Sequence, residues 1–239
     1  MQNNWLERTE LFIGKEKTEI LKNKNILIVG LGGVGASAAE MITRAGVGKM
    51  TIIDGDIVSE TNINRQLMAL HSNIGKSKAE LMTKRLKDIN PDISITTIKE
   101  FIRDDYMKEI LTEKFDYVVD AIDTLSPKIY LIYHSLNNNL QIISSMGAGG
   151  KLDPSLVQIA DLKKSYNCKL ARNLRKRLRK LGINGGFKVV FSPEDVNPEA
   201  VISTPFEQNK KSNVGTISYM PALFGIYCAS QVIRDLIEK

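Results

Sequence analysis

A chain of 239 residues with 43% apolar content can bury a full core as one α/β domain, with or without an appended lobe, and it carries no low-complexity tract or internal repeat. Its two cysteines exclude a four-thiolate zinc site and argue against a disulfide framework, while a net charge of +6 points to an anionic partner. Glu7, Glu10 and Glu16 stand where a secretory leader needs an apolar run, so a cytoplasmic protein is expected.

In chain order, a helix at 16–21 precedes an apolar strand at 26–30, which runs into the turn Gly30-Leu31-Gly32-Gly33-Val34-Gly35 and a helix at 34–45. Glycines let the backbone turn tightly and come close to a nucleotide, and the following helix N-terminus offers unpaired N–H groups to phosphate. Strand 50–54 ends at Asp54, placed for a ribose, with Asp56 just behind it. A short helical turn near 61–69 carries Asn62, Asn64, Arg65 and Gln66, and helix 76–89 opens with Lys76 and Lys78 before Asn90-Pro91. Cations at a helix start oppose the macrodipole, which argues for an anion nearby. Fixed Arg and Lys suit a triphosphate undergoing attack, which a dinucleotide dehydrogenase does not need.

Strand 93–98, helix 104–112, strand 116–121, helix 126–138 and strand 140–145 continue the alternation, which predicts a Rossmann-like, mostly parallel sheet flanked by helices. Ligand then belongs beyond the carboxyl ends of the strands, where Gly30, Asp54, Ile102 and Asp123 fall. Asp120 is read as fixing its turn, Asp123 as facing the pocket, and Gly147 to Gly150 as letting a bound nucleotide approach closely. Beyond Gly150 come strand 156–162, a basic helix, strand 187–192, a polar loop at about 193–215 and a last apolar helix at 219–233. That apolar run is shorter than the roughly 20 residues a bilayer needs. A packed helix, at a dimer interface, is the better reading, with peripheral membrane association left open.

The segment 163–180 contains nine Lys or Arg and no acid. Leu170, Leu174, Leu178 and Leu181 recur at helical spacing, so the cations cover the opposite face. Like charges at i and i+4 repel, so phosphate backbone is the expected compensation, through Lys169, Arg172, Arg175, Lys176 and Arg179. Tyr166 could stack on a splayed base. Lys169 beside Cys168 could depress its thiol pKa, which leaves its reactivity open, whereas Cys228 reads as a buried small hydrophobe. His71 and His134 fit no catalytic pattern and read as structural.

The ordered set Gly-x-Gly-Gly-x-Gly, Asp54, Asn62-Ile63-Asn64-Arg65-Gln66, Gly75 to Glu80 with Lys78, and Asp120-Ala121-Ile122-Asp123 resembles the ThiF/MoeB/HesA superfamily of ATP-dependent adenylating enzymes, over nearly the whole chain. The resemblance implies ATP bound by Gly30, Gly32, Gly33, Asp54, Asn62, Asn64, Arg65, Gln66, Lys78, Ile102, Ile122, Asp123, Thr124 and Lys128. Arg65, Lys78 and Asp123 then carry the catalysis, Asp123 also meets magnesium, and Lys128 pairs with phosphate or with Asp123. It further implies a homodimer in which Arg8 reaches the partner's ATP site.

Segments 61–70, 120–124 with Lys128, 145–150 with Asp153-Pro154, and 189–192 resemble most closely the tRNA threonylcarbamoyladenosine dehydratase branch. That implies activation of a threonyl carboxylate on tRNA by ATP and ring closure with release of AMP. Residues 1–150 would be the adenylation region and 151–239 a C-terminal substrate-side and tRNA-side lobe of one integrated domain. A sulfur-relay protein is a candidate partner. Three alternatives stay open. An adenylyltransferase for a ubiquitin-like or sulfur-carrier protein would be expected to hold two Cys-x-x-Cys pairs, which are missing. A nicotinamide oxidoreductase has no use for the Arg65 and Lys78 pair. A non-catalytic RNA-binding scaffold would turn over no ATP.

Overall fold

A computed structural model describes residues 4–102, 104–203 and 212–238. The elements run α1 (Glu7–Ile13), α2 (Lys15–Lys22), β1 (Asn25–Val29), α3 (Gly33–Arg44), β2 (Lys49–Ile53), α4 (Lys78–Ile89), β3 (Ser94–Ile98), α5 (Asp104–Ile110), β4 (Tyr117–Asp120), α6 (Leu125–Asn137) and β5 (Ile142–Ser145). They continue as β6 (Gln158–Asp161), α7 (Lys169–Arg179), β7 (Lys188–Phe191), β8 (Val201–Ser203), β9 (Ser212–Val214) and α8 (Tyr219–Ile237).

Seven strands form one sheet in the order β3-β2-β1-β4-β5-β7-β6, parallel throughout except for the edge strand β6. The mostly parallel α/β fold expected from the alternation is the one found. Successive residues of each central strand feed opposite faces, which is why the strands read as unbroken apolar runs. Ile26 and Ile28 of β1 pack with α3, α4 and α8, whereas Leu27 and Val29 pack with residues of α5, α6 and α7. Strands β6 and β7, both from the second half of the chain, join the same sheet as β1 to β5. Asp235 of α8 ties that helix to the sheet by accepting from Tyr117 Oη at 2.8 Å and Lys188 Nζ at 3.0 Å, and Gln231 Nε2 of the same helix donates to it at 2.7 Å.

Several elements differ from their sequence expectation. The helical turn at 61–69 shrinks to a 3-10 turn at Glu60–Asn62, because Asn62 Oδ1 turns back to accept Ser59 N–H and closes the segment on itself. Helix 76–89 begins at Lys78, since Ser77 caps it through Glu80 N–H and leaves Lys76 outside. The strand expected at 156–162 is β6 alone, preceded by a 3-10 turn at Pro154–Leu156. Within the basic segment, Asn167 adopts a left-handed φ of 47° and separates a 3-10 turn at Leu162–Lys164 from α7. Helix α1 was not expected, and the loop at 193–215 contains the antiparallel pair β8 and β9. Among the described residues, no helix is long and apolar enough to cross a membrane.

Candidate functional site

Strands β2 and β3 lie to one side of β1, and β4 and β5 to the other, so a crevice opens beyond the carboxyl ends of β1 and β4 where the strand order reverses. Gly30 lines this point with φ +90°, and its backbone approaches that of Ala121 so closely that a Cβ would lie 2.8 Å from the Ala121 oxygen. A Cβ on Gly35 would overlap the Gly30 carbonyl oxygen. Gly35→Ala therefore forces backbone to move. The expected cost is on the order of 3 kcal/mol, or roughly 6–12 °C in Tm by thermal unfolding, and a Tm within about 2 °C of the unsubstituted chain would show that the turn can yield.

The Asp54 carboxylate stands between the two turns it follows and faces. Its Oδ2 accepts Leu31 N–H at 2.5 Å and its Oδ1 accepts Asp56 N–H at 2.8 Å. Burial raises its pKa above the ordinary carboxylate value, against the lowering pull of the Leu31 N–H and of nearby Lys78. Lys78, only 5% exposed, pairs through Nζ with Asp56 Oδ2 at 2.9 Å, and its backbone N–H donates to Asp56 oxygen. Asp56, just behind Asp54, is thus the anion that the cation at the helix start called for.

Residues 62–66 fold back against the start of α3. A Cβ on Gly33 would meet the Arg65 carbonyl oxygen at 2.9 Å, and one on Gly32 would lie 3.7 Å from Gln66 Nε2. Arg65 is half-buried, with Nη1 donating to Thr61 oxygen at 2.8 Å and Asn64 Oδ1 at 2.9 Å. Asn64 Nδ2 donates to Thr216 oxygen at 2.9 Å, which joins this segment to the base of the β8–β9 pair. Asp123 is exposed in the turn between β4 and α6, and Thr124 occupies the N-cap position of α6. Gly149 and Gly150, after β5, pack against Val214 at the end of β9 and Val196 in the loop after β7, while nothing lies within 4 Å of a Cβ at Gly147.

The structure thus gathers Gly30, Gly32, Gly33, Asp54, Asn64, Arg65, Gln66, Lys78, Ile122, Asp123 and Thr124 around one crevice. Four expected residues stand otherwise. Asn62 is buried as a cap, and Ile102 is buried in the core with Val29 and Ile53, beneath the crevice floor. Lys128 corrects its expectation: it is fully buried and pairs with Asp120 Oδ2 at 2.8 Å, not with Asp123. Arg8 is exposed on α1, two residues beyond Leu6, which packs against Gly46 at the opposite end of α3 from the glycine turn. With 12 residues in α3, that separation is about 18 Å, so Arg8 is remote from the crevice of its own chain.

On the second sheet face, α7 buries Ala171, Leu174 and Leu178, while Leu181 falls beyond the helix and is exposed. Lys169, Arg172, Lys176 and Arg179 are exposed. Arg175 is a second correction, because its Nη1 turns inward to Leu162 oxygen at 3.2 Å and Ser165 oxygen at 2.7 Å, and to Ser165 Oγ. Tyr166 is exposed with one edge on Phe191, at 5.7 Å between ring centroids. Cys228 is fully buried and burial pushes its thiol up to about 12, so it is inert; Cys168 is buried at the N-cap of α7. His134 lies in the last turn of α6 against Tyr130 and Tyr133, away from the crevice. Among the described residues no three His, Cys, Asp or Glu side chains cluster as metal ligands.

Residues 6–239 match the model of the ThiF family. Over 238 residues the chain is 39% identical to the tRNA threonylcarbamoyladenosine dehydratase of Bacillus subtilis (strain 168), covering 97% of this chain and 94% of that one. The solved structure of the Escherichia coli tRNA N6-threonylcarbamoyladenosine dehydratase in complex with ATP superposes with a TM-score of 0.89 at 33% identity, covering 99% of this chain and 96% of that one. The same enzyme in complex with AMP gives a TM-score of 0.88, again at 33% identity and with the same coverage.

Proposed function

The chain belongs to the ThiF family, and from that premise we propose that it is an ATP-dependent tRNA threonylcarbamoyladenosine dehydratase acting in the cytoplasm. The observation that carries this reading is the convergence of the glycine turn, Arg65, Lys78 and Asp123 on one crevice in a chain similar over nearly its whole length to that enzyme.

ATP enters with its phosphates over the N-terminus of α3, where backbone N–H groups and the helix dipole favour negative charge. Its ribose faces Asp54, which already holds Leu31 N–H and retains lone pairs for hydroxyl groups. Arg65 and Lys78 flank the triphosphate. Lys78 exchanges the Asp56 carboxylate for a phosphate oxygen, and the exposed position of Asp56 lets it turn to water when released. A magnesium ion arriving with the triphosphate would take Asp123 as a hard oxygen ligand and neutralise phosphate charge.

The threonyl carboxylate attacks the α-phosphorus, the bond to the bridging oxygen breaks, and pyrophosphate leaves. A nucleophile of the same modified side chain then attacks the acyl carbon, closing the ring and expelling AMP. The second step is fast without a covalent enzyme intermediate because its nucleophile is already held beside the anhydride, an effect that can supply several kcal/mol. Exposed Lys169, Arg172, Lys176 and Arg179 hold the tRNA backbone. A second copy of the chain supplies Arg8, since Arg8 lies far from its own crevice.

The test is conversion of ATP to AMP with bulk tRNA carrying the threonylcarbamoyl mark against unmodified transcript. AMP is expected to form stoichiometrically with cyclised adenosine and only with the marked tRNA. AMP formation that ignores the mark, or requires a carrier-protein C-terminus, overturns the assignment.

A further inference from the structure

The turn that presents Asp123 is held by a buried ion pair. Asp120, the last residue of β4, and Lys128, on α6, are each fully buried, and Lys128 Nζ lies 2.8 Å from Asp120 Oδ2. The same Asp120 oxygen accepts Ser144 Oγ from β5 at 2.6 Å, so the carboxylate is fixed to the neighbouring strand. Its other oxygen accepts Ile122 N–H at 3.1 Å, while Lys128 Nζ donates to the Ile122 carbonyl oxygen at 2.8 Å. Both polar groups of Ile122 are therefore held by the two members of one pair. The carbonyl that Lys128 grips belongs to the peptide whose nitrogen is Asp123's own, so Lys128 sets the plane from which the Asp123 side chain departs.

Burying two charges is costly, and apolar residues of similar volume often stabilise a core as well or better. A buried pair whose remaining hydrogen bonds all go to one turn and to Ser144 is best explained by what it fixes. The glycine turn closes the other side: Ala121 N–H donates to Val29 oxygen at 2.9 Å, and Gly30 packs on the Ala121 carbonyl. Lys128 cannot also serve ATP from this position, because it has no exposed surface and its ammonium is already engaged.

We propose that Lys128 and Asp120 are positioning residues that hold the 121–124 turn in the geometry from which Asp123 acts on the triphosphate, rather than ligands of the nucleotide. The inference rests on the ATP reading of the crevice, and its test has an arm independent of turnover. In Lys128→Met, amide hydrogen exchange at Ala121 and Ile122, whose N–H groups are hydrogen-bonded in this turn, is expected to quicken at least tenfold with Gly33 to Gly35 unchanged. The kcat for AMP formation should fall at least tenfold while KM for ATP stays within about threefold.

Unchanged exchange at Ala121 and Ile122 overturns the inference, whatever the turnover. A raised KM with kcat preserved also overturns it, by making Lys128 a direct ligand. Should Lys128→Met fail to fold with Asp120 left unpaired, the double variant Asp120→Asn with Lys128→Met leaves no buried charge and is measured in the same way. Failure of that neutral variant to fold would overturn the positioning role in favour of a purely structural one.

Discussion

Arg65→Ala is expected to slow AMP formation about a thousandfold, and Asp123→Ala comparably, with both variants folded and melting near the unsubstituted chain. The size follows from the charge involved. As pyrophosphate departs, negative charge accumulates on oxygens that a fixed guanidinium meets without reorganising, and removal of one such group commonly costs 10²- to 10³-fold or more in rate. Arg65 is suited to this because its described side-chain hydrogen bonds are local ones to Thr61 oxygen and Asn64 Oδ1, which aim the side chain while leaving it half-buried. Arg65→Lys should recover little, since an ammonium cannot reproduce a planar fork. Asp123 is exposed at the end of its turn, so truncating it disturbs no core packing. Single-turnover AMP formation with marked tRNA separates the outcomes. A loss confined to KM for ATP would make either residue a ground-state ligand only, and near-normal turnover would remove it from the catalytic account.

What could be seen in the sequence follows from how local each determinant is. β1 and its glycine turn were visible because an unbroken apolar run and glycines at fixed spacing are local signals. Asp54 and Lys78 were visible because a strand tip and a helix start are defined by their neighbours in sequence. Lys128 was not. A lysine in the first two turns of a helix can reach outward to phosphate or inward under the sheet, and only the buried carboxylate of Asp120, eight positions earlier in the chain, decides between them. Arg175 failed for a related reason. The apolar stripe was phased on Leu170, Leu174, Leu178 and Leu181, but the helix ends at Arg179, so Ala171 replaces Leu181 in the buried face and Arg175 falls beside it. Helix α1 buries no residue, and β8 and β9 span three residues each, so neither carries the periodicity from which an element is read.

That corrected phase changes which cations should matter for RNA. Lys169, Arg172 and Lys176 recur at spacings of three and four and are all exposed, so they form one row along α7, whereas Arg175 is committed to the 162–165 turn. The row begins at the crevice end of the molecule, because Asn167, two residues before α7, donates to Pro193 oxygen at 2.6 Å and to Asp195 Oδ1 at 2.9 Å, just past the carboxyl end of β7. A tRNA backbone lying along this row therefore leads toward the adenylation site. Reversing all three to Glu is expected to weaken binding of marked tRNA at least a hundredfold at low salt. It should also flatten the plot of log affinity against log salt by about 2 to 3, one lost phosphate contact per residue at 0.7–0.9 each. ATP affinity, measured without tRNA, should not change. Arg175→Ala should instead lower the melting temperature while leaving the salt slope intact, since its guanidinium holds the 162–165 turn. If the triple reversal left both tRNA affinity and slope unaltered, α7 would be a solvated face and the RNA would have to approach from another side of the crevice.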